Sequence, residues 1–593
     1  MNTNAKKWIR FRIYMVLICF LLFFTALAVR AFQLQVLKGE YLRTLAEKEY
    51  TGIIRLAQDR GVIYDRHKEI LAISSYAYSI FADPTQITDP YSVACKLSAI
   101  LKLNNRKLLN NLKKKRSFVW VKRQVTDGEA EEVRRLRIKG IHFLRENRRY
   151  YPDVYLACHL LGFAGVDAQG LEGLELSYDK YLKTKTGYST AMRDALGRRI
   201  YSKIDFGGSR QGYDLILTID KRIQHITEMG LKKVSQNTQA KGAMAIVMNP
   251  KTGEILAMAN YPPFNPNTFL RYPPSVRRNR IITDTFEPGS TFKVFLIAGA
   301  LEEGTVKPNH MFFCENGNYR IKGTSAIIKD VHQHGWLSAS DIIKFSSNIG
   351  AVKIGQTLNS SCLFRYIKAF GFGEKTGIDL PGEVRGFINP PIKWSKVDKH
   401  YIAFGYGIAT TAIQLLSAFS AIANDGVLMR PFVVKEIINK DGKTIKRFAP
   451  HVVRRVVSSK TAREVTSILE KVVEKDGTGR MAFLEGYRVA GKTGTARKAK
   501  SGGKGYSKDK YVASFMGFAP VEDPQIAVLV VVDEPKGVEY GGVVAAPVFK
   551  EITQKTMVCL NIPPQRVLMA QGKPGVLRQW ISIIDGNGNK DDS

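Results

Sequence analysis

A serine followed three residues later by a lysine occurs four times in this chain, at Ser177/Lys180, Ser290/Lys293, Ser501/Lys504 and Ser507/Lys510. Such a pair can build an activated nucleophile. A serine hydroxyl attacks a carbonyl only with a base in reach, and a lysine is that base only where burial or a neighbouring cation depresses its pKa. Context separates the four. Ser290 follows Glu287-Pro288-Gly289 and precedes TFKVFLIAGALEEG, whose apolar residues recur at helical spacing. It therefore opens a helix, where free N–H groups favour developing negative charge, and Lys293 lies one turn on. Lys-Thr-Gly also occurs four times, beginning at Lys185, Lys251, Lys375 and Lys492. The first three read as turns. Lys492-Thr493-Gly494, continued by Thr495, follows a strand-like segment and precedes a strand pair, so it is the candidate second lysine. Between the two motifs, Ser346-Ser347-Asn348 ends the helical pattern SASDIIKFSSN. Ser346 and Asn348 can turn a hydroxyl and an amide into one cavity. A further Ser-x-Asn at Ser235 and Asn237 precedes the nucleophile in the chain and reads as chance. His332 and His334, two apart on an irregular segment, read as surface residues rather than metal ligands.

These motifs need a scaffold. DLILTID from Asp214, GAMAIVMNP and TGEILAMAN read as strands, the last two forming a hairpin through an Asn-Pro-Lys-Thr-Gly turn. VASFMGFAPV and QIAVLVVVDE form another strand pair. Residues 214–560 thus read as an α/β domain whose antiparallel sheet joins strands far apart in sequence. Ahead of it, from about Gln33 to Gln211, short strand-like runs alternate with basic helical ones. Residues 101–150 carry 16 Lys and Arg against 5 Asp and Glu. This is either a solvated face or a contact for anionic head groups, wall polymers or an acidic partner. At the N-terminus, Lys6, Lys7, Arg10 and Arg12 precede an apolar run from Ile13 to Val29. Ala26-Leu27-Ala28 has the form of a signal-peptide cleavage site, but the run exceeds the usual apolar region and continues through Phe32, Leu34 and Val36, so an uncleaved anchor is the better reading. Four leading cations place the N-terminus in the cytoplasm and the rest outside. That topology removes nucleic acid as the partner for a formal charge of +36. Six cysteines in 593 residues, one of them in the apolar run, exclude a disulfide-dense scaffold.

The ordered set S-x-x-K, S-x-N, K-T-G is the signature of penicillin-binding proteins and serine β-lactamases. The flanks RGVIYDRHKEILA, GLEGLELSYDKYL, FEPGSTFK, FGYGIATTAIQL, VAGKTGTA and YGGVVAAPVFKEI sharpen it. Together they resemble class B penicillin-binding proteins, most of all the division-specific septal transpeptidases of the FtsI family. Two positions depart from the family: Lys68 stands where Gly is usual, and Ala412 where Pro is common.

The resemblance implies an α+β/α-β chain. A cytoplasmic tail (1–12) leads into a single N-terminal transmembrane helix (13–32). An elongated pedestal domain (33–211), a serine β-lactamase-like transpeptidase domain with an antiparallel sheet flanked by helices (212–562) and a polar tail (563–593) follow. It also implies roles. Ser290 attacks the penultimate D-Ala of a peptidoglycan stem peptide, Lys293 takes its proton, Asn348 holds the peptide amide, and Ser346 relays a proton to the leaving amine. Thr493, Gly494 and Thr495 form the substrate-binding strand, with the two threonine hydroxyls on the terminal carboxylate. Lys492 and Thr495 recognise that carboxylate and tune Lys293, and the N–H groups of Ser290 and Thr495 form the oxyanion hole. No cofactor or metal is implied. The implied partners are stem peptides, β-lactams, a membrane-embedded glycan polymerase and other division proteins, at the outer face of the cytoplasmic membrane. A D,D-carboxypeptidase, a sporulation-type transpeptidase, a β-lactamase and a non-catalytic division scaffold are the competing readings.

Overall fold

The computed structural model describes residues 3–42, 51–55, 60–114, 116–183, 188–193, 199–201, 212–500 and 505–564. The Ser501/Lys504 pair, the Lys185 motif and the tail beyond residue 564 lie outside the described residues. The chain divides into two compact units, one of residues 1–58 with 184–210 and one of 59–183 with 211–593.

The first unit contains a helix, Thr3–Phe32, continued by a π-helical turn over Gln33–Leu37. Within them, Phe11–Leu37 has a mean hydropathy of 2.4 over its most apolar stretch, and none of that stretch is buried in protein. A helix this long and apolar matches a bilayer's hydrocarbon core. The same unit holds a three-stranded antiparallel sheet of Thr51–Arg55, Tyr188–Arg193 and Arg199–Tyr201.

The second unit is built on two sheets. The first has five antiparallel strands in the spatial order Ile255–Tyr261, Gly242–Met248, Ile526–Asp533, Tyr506–Ala519, Ala490–Ala499. The early hairpin and the late strand pair expected from the sequence are thus neighbours. Alternate residues of these strands feed two cores. Ala243, Ala245 and Val247 pack with Leu231 and Val234 of the helix Lys221–Thr238 and with Phe549 and Ile552 of Ala546–Cys559. Met244, Ile246 and Met248 pack on the other face with the helices Lys293–Glu302, Ala412–Ala423 and Ser459–Val473. The apolar alternation explains why the sheet is a middle layer.

The second sheet runs Thr444–Arg447, Val434–Ile438, Asp214–Leu217, Ile63–Tyr64, Ile70–Ala82, Val119–Val125, with Ile141–Tyr150 also paired to Ile70–Ala82. Asp214–Leu217, read from sequence as the first strand of the catalytic sheet, is instead parallel to Ile63–Tyr64 and antiparallel to Val434–Ile438. All four of its residues are buried, as a central strand requires. Beside it, the RGVIYD and GLEGLEL segments meet in a buried ion network: Arg60 donates to Glu175 and Asp179, and Arg149 donates to Glu175 at 2.5 Å. Glu175 is fully buried, and the two guanidiniums hold its carboxyl below the ordinary range against the opposing effect of burial.

All six cysteines are free thiols.

Candidate active site

Ser290 lies in a single 3-10 turn, Gly289–Phe292, that runs directly into the helix Lys293–Glu302. Two close approaches fix that turn. Gly289 has φ +56° and its N–H donates to Gly405 O at 3.1 Å. Gly405 has φ +86°, and a Cβ on it would stand 2.1 Å from Gly289 O, so neither backbone can retreat. From the opposite side, Gly494 lets the strand Ala490–Ala499 approach: a Cβ there would meet Thr291 Cγ2 at 2.8 Å and Pro288 O at 3.2 Å. The serine turn is therefore held between the Gly405 loop and the Lys492-Thr493-Gly494 strand.

Lys293 is fully buried and donates to Asn348 Oδ1 at 2.8 Å, Ser346 O at 2.6 Å and Ser346 Oγ at 3.3 Å. Lys492, also fully buried, donates to Ser346 Oγ at 3.0 Å, with Thr493 O at 3.2 Å. One hydroxyl thus bridges two amines. Ser346 does not end a helix as the sequence pattern suggests. That helix stops at Lys344, Ser346 has φ +61°, and Asn348 begins the next helix, Asn348–Gln356. The left-handed residue turns the Ser346 carbonyl and hydroxyl together toward Lys293. Such a conformation persists only where the surroundings enforce it.

Asp330 does the enforcing, and sequence reasoning missed it. Its carboxylate accepts from Asn348 N at 2.5 Å, Ile349 N at 3.0 Å and Ser347 Oγ at 2.6 Å, while Asn348 Nδ2 donates to Lys329 O at 3.0 Å. It fixes the start of the helix through its first N–H groups, but it lies 16 residues upstream of Ser346, with no local pattern to mark it.

The electrostatics follow from burial. Desolvation pushes Lys293 down to about 7, with the Asp330 charge opposing. Desolvation also lowers Lys492 far below the ordinary lysine range, and the neighbouring Lys293 lowers it further. The sequence reading had the second lysine tuning the first; burial lowers both, and the charge effect runs the other way, from Lys293 onto Lys492.

Thr493 is buried, its hydroxyl 3.3 Å from Thr478 Oγ1 and from Lys492 Nζ. Thr495 is more open, and its hydroxyl accepts from Gly541 N at 3.1 Å, which leaves its proton free for a ligand. Thr478 and Gly541 were also not foreseen, since both reach the site only through the sheet.

The other motif copies among the described residues have local partners. Ser507 lies on a strand with its hydroxyl on Asp509, and Lys510 faces Glu534. Lys180 packs over the Tyr181 ring. The Thr376-Gly377 turn is closed on Glu383, and Lys251 sits in the hairpin turn, paired with Asp523. The His334 ring stacks on Phe345.

A half-buried serine one turn ahead of a buried amine whose pKa is lowered to about 7, with a hydroxyl bridging to a second amine, can form and resolve an acyl-enzyme.

Comparison with known proteins agrees with that chemistry. Residues 243–554 match the penicillin binding protein transpeptidase domain, and residues 56–217 the penicillin-binding protein dimerisation domain. The chain is 37% identical over 572 residues to stage V sporulation protein D of Bacillus subtilis, covering 95% of this chain and 88% of that one. It is 33% identical over 569 residues to peptidoglycan D,D-transpeptidase FtsI of Escherichia coli, covering 95% and 94%. Among solved structures, a peptidoglycan synthetase from Bifidobacterium adolescentis superposes with a TM-score of 0.69 at 26% identity, covering 87% of this chain and 98% of that one. With its transpeptidase and dimerisation regions both matched, and relatives aligned along nearly its whole length, the chain belongs to the penicillin-binding protein transpeptidase family.

Proposed function

We propose that this protein is a serine peptidoglycan D,D-transpeptidase of septal wall synthesis, anchored by its N-terminal helix with the catalytic unit on the outer side of the cytoplasmic membrane. The observation that carries the reaction is the Ser346 hydroxyl bonded to two buried lysines beside the Ser290 turn. Ser290 Oγ attacks the carbonyl of the penultimate D-Ala while its proton passes to Lys293 Nζ. The amide C–N bond then breaks, and the proton reaches the leaving D-Ala through Ser346. An amine of a second stem peptide attacks the ester, its proton returns to Ser290, and the cross-link forms. Thr495 takes the substrate carboxylate, Thr493 fixes Lys492, and the backbone N–H groups of Ser290 and Thr495 stabilise the oxyanion. Losing one such donor costs about 3–4 kcal/mol of barrier. The dimerisation-type pedestal, in place of a glycosyltransferase module, fits a partner that polymerises glycan in the membrane.

A strained β-lactam presents the same carbonyl and carboxylate, so the full chain incubated with fluorescent penicillin should carry one stable label on the peptide containing Ser290, and Ser290→Ala should carry none. A label mapped to Ser177 or Ser507, or rapid turnover of the penicillin, would overturn the assignment. A sporulation role for the same chemistry is the second reading, favoured by the 37% identity to stage V sporulation protein D. Expression confined to spore formation would select it.

A further inference from the structure

The helix Ala339–Lys344 leads into Ser346, and the helix Ser459–Val473 leads into a short loop, residues 474–479. That loop is folded tightly back on its own helix. Gly477 N donates to Glu474 O at 2.9 Å and Gly479 N to Val472 O at 2.8 Å, and a Cβ on Gly477 would stand 2.2 Å from Val472 O. Lys344 grips the loop twice. Its amine pairs with Glu474 at 2.9 Å and with Asp476 at 2.8 Å, and its carbonyl accepts from Thr478 Oγ1 at 3.1 Å. The Lys344 side chain is 11% exposed, whereas the two acids are 53% and 64% exposed. Burial by itself would lower the amine's pKa, but its hydrogen bonds to Asp476 and Glu474 outweigh that and hold it above the ordinary lysine range. It therefore stays charged at neutral pH. From the loop, contacts run on to the other side of the cleft. Thr493 Oγ1 donates to Thr478 Oγ1 at 3.3 Å, and a Cβ on Gly542 would stand 2.3 Å from Thr478 O, beside the Gly541 N–H that holds Thr495. Lys492 then donates to Ser346 Oγ at 3.0 Å, two residues beyond Lys344. Lys344, Thr478, Thr493, Lys492 and Ser346 thus form a closed circuit.

We propose that Lys344, paired with Glu474 and Asp476, is a positioning residue for acylation: it clamps the loop so that Thr478 holds the Lys492–Thr495 strand in register with Ser346. The proposal rests on the transpeptidase reading above, which makes that register matter. Lys293 is bonded to Ser346 and Asn348 on one side of the cleft, while the carboxylate-binding threonines lie on the strand at the other. The substrate carboxylate travels with the strand, so a slack clamp still lets the ligand dock but carries its carbonyl off the nucleophile. A misplacement of about 1 Å can cost up to about a hundredfold in rate. Ion pairs to half-exposed acids add little to stability, so the effect of this one falls on geometry.

The test uses the full chain in detergent micelles and penicillin as the probe, separating the limiting acylation rate from the Kd of the complex that precedes it. Lys344→Met should lower the limiting rate on the order of tenfold and leave the Kd within about threefold, because position is lost and the carboxylate contact is kept. Lys344→Arg should retain most of the rate. Glu474→Gln combined with Asp476→Asn, at exposed positions, should reproduce the loss, as should Thr478→Val. Adding Thr478→Val to Lys344→Met should cost nothing further, since residues of one unit are not additive. Hydrogen exchange in the peptide covering 490–499 should quicken in Lys344→Met and not in Lys344→Arg, with parental exchange in the strand Gly242–Met248 showing the fold intact. The proposal falls if Lys344→Met or the paired acid variant acylates at the parental limiting rate, if the loss lies in Kd alone, or if exchange in 490–499 is unchanged. The exchange reading needs no chemistry, so a parent that never takes up penicillin would sink the transpeptidase reading while the clamp is still judged.

Discussion

In the proposed mechanism Lys293 is the residue on which the chemistry turns. Its amine is fully buried, and its three oxygen partners include only neutral groups, the Ser346 carbonyl and hydroxyl and the Asn348 amide oxygen. Neutral acceptors offset desolvation less than a carboxylate would, so the pKa stays down at about 7 with Asp330 acting from one step away. The cation cannot take the Ser290 proton, whereas the free amine can. Penicillin acylation should therefore rise with pH and level off above about 7, falling roughly tenfold for each unit below it. A stopped-flow profile between pH 5.5 and 8.5 would measure this, and a flat profile would remove Lys293 as the base. Asp330 marks the limit of reading at this scale. Ser290, Lys293, Ser346 and Lys492 are found by type and order, but a carboxylate that acts by capping a helix 18 residues on leaves no trace in the pattern.

Among the elements, the early hairpin and late strand pair were legible because period-two burial and turn chemistry are local. Their adjacency could only be inferred from the need to close one sheet. Asp214–Leu217 was misplaced for the converse reason. A four-residue, wholly buried run says that a strand is central without saying in which sheet. The two departures from the family pattern have local causes. Ala412 is the first residue of the helix Ala412–Ala423, capped by Thr411, the helical position where proline is favoured. Lys68 sits in the turn between Asp65 and Glu69 with φ +66°, where glycine has no steric penalty. A lysine there carries about 1–2 kcal/mol of backbone strain. Lys68→Gly should raise the unfolding midpoint with penicillin acylation unchanged. The gain is smaller than the strain removed, because glycine also loosens the unfolded chain. A lower midpoint would mean that the lysine side chain contributes more than its backbone costs.

At the scale of the whole molecule, an excess of positive charge has to coexist with a long apolar helix near the N-terminus. Of the 89 Lys and Arg, Lys6, Lys7, Arg10 and Arg12 stand ahead of or at the edge of the Phe11–Leu37 span. Arg30 lies within the span, and the rest follow it. Orientation is set by cations close to the ends of a span, since long domains translocate largely regardless of their charge. On the proposed topology the four leading cations therefore outweigh the many later ones, and the catalytic unit is expected outside. Alkaline phosphatase fused after Ser593 should be active, because it folds with its disulfides only in an oxidising compartment, and a cytoplasmic reporter at the same point should be silent. Replacing Lys6, Lys7, Arg10 and Arg12 with Glu should lower phosphatase activity by retaining part of the population inside. The opposite reporter pattern in the parent would reverse the topology. It would also deprive Ser290 of any wall peptide to attack, so the same fusion tests whether the anchor and the active site belong to one mechanism.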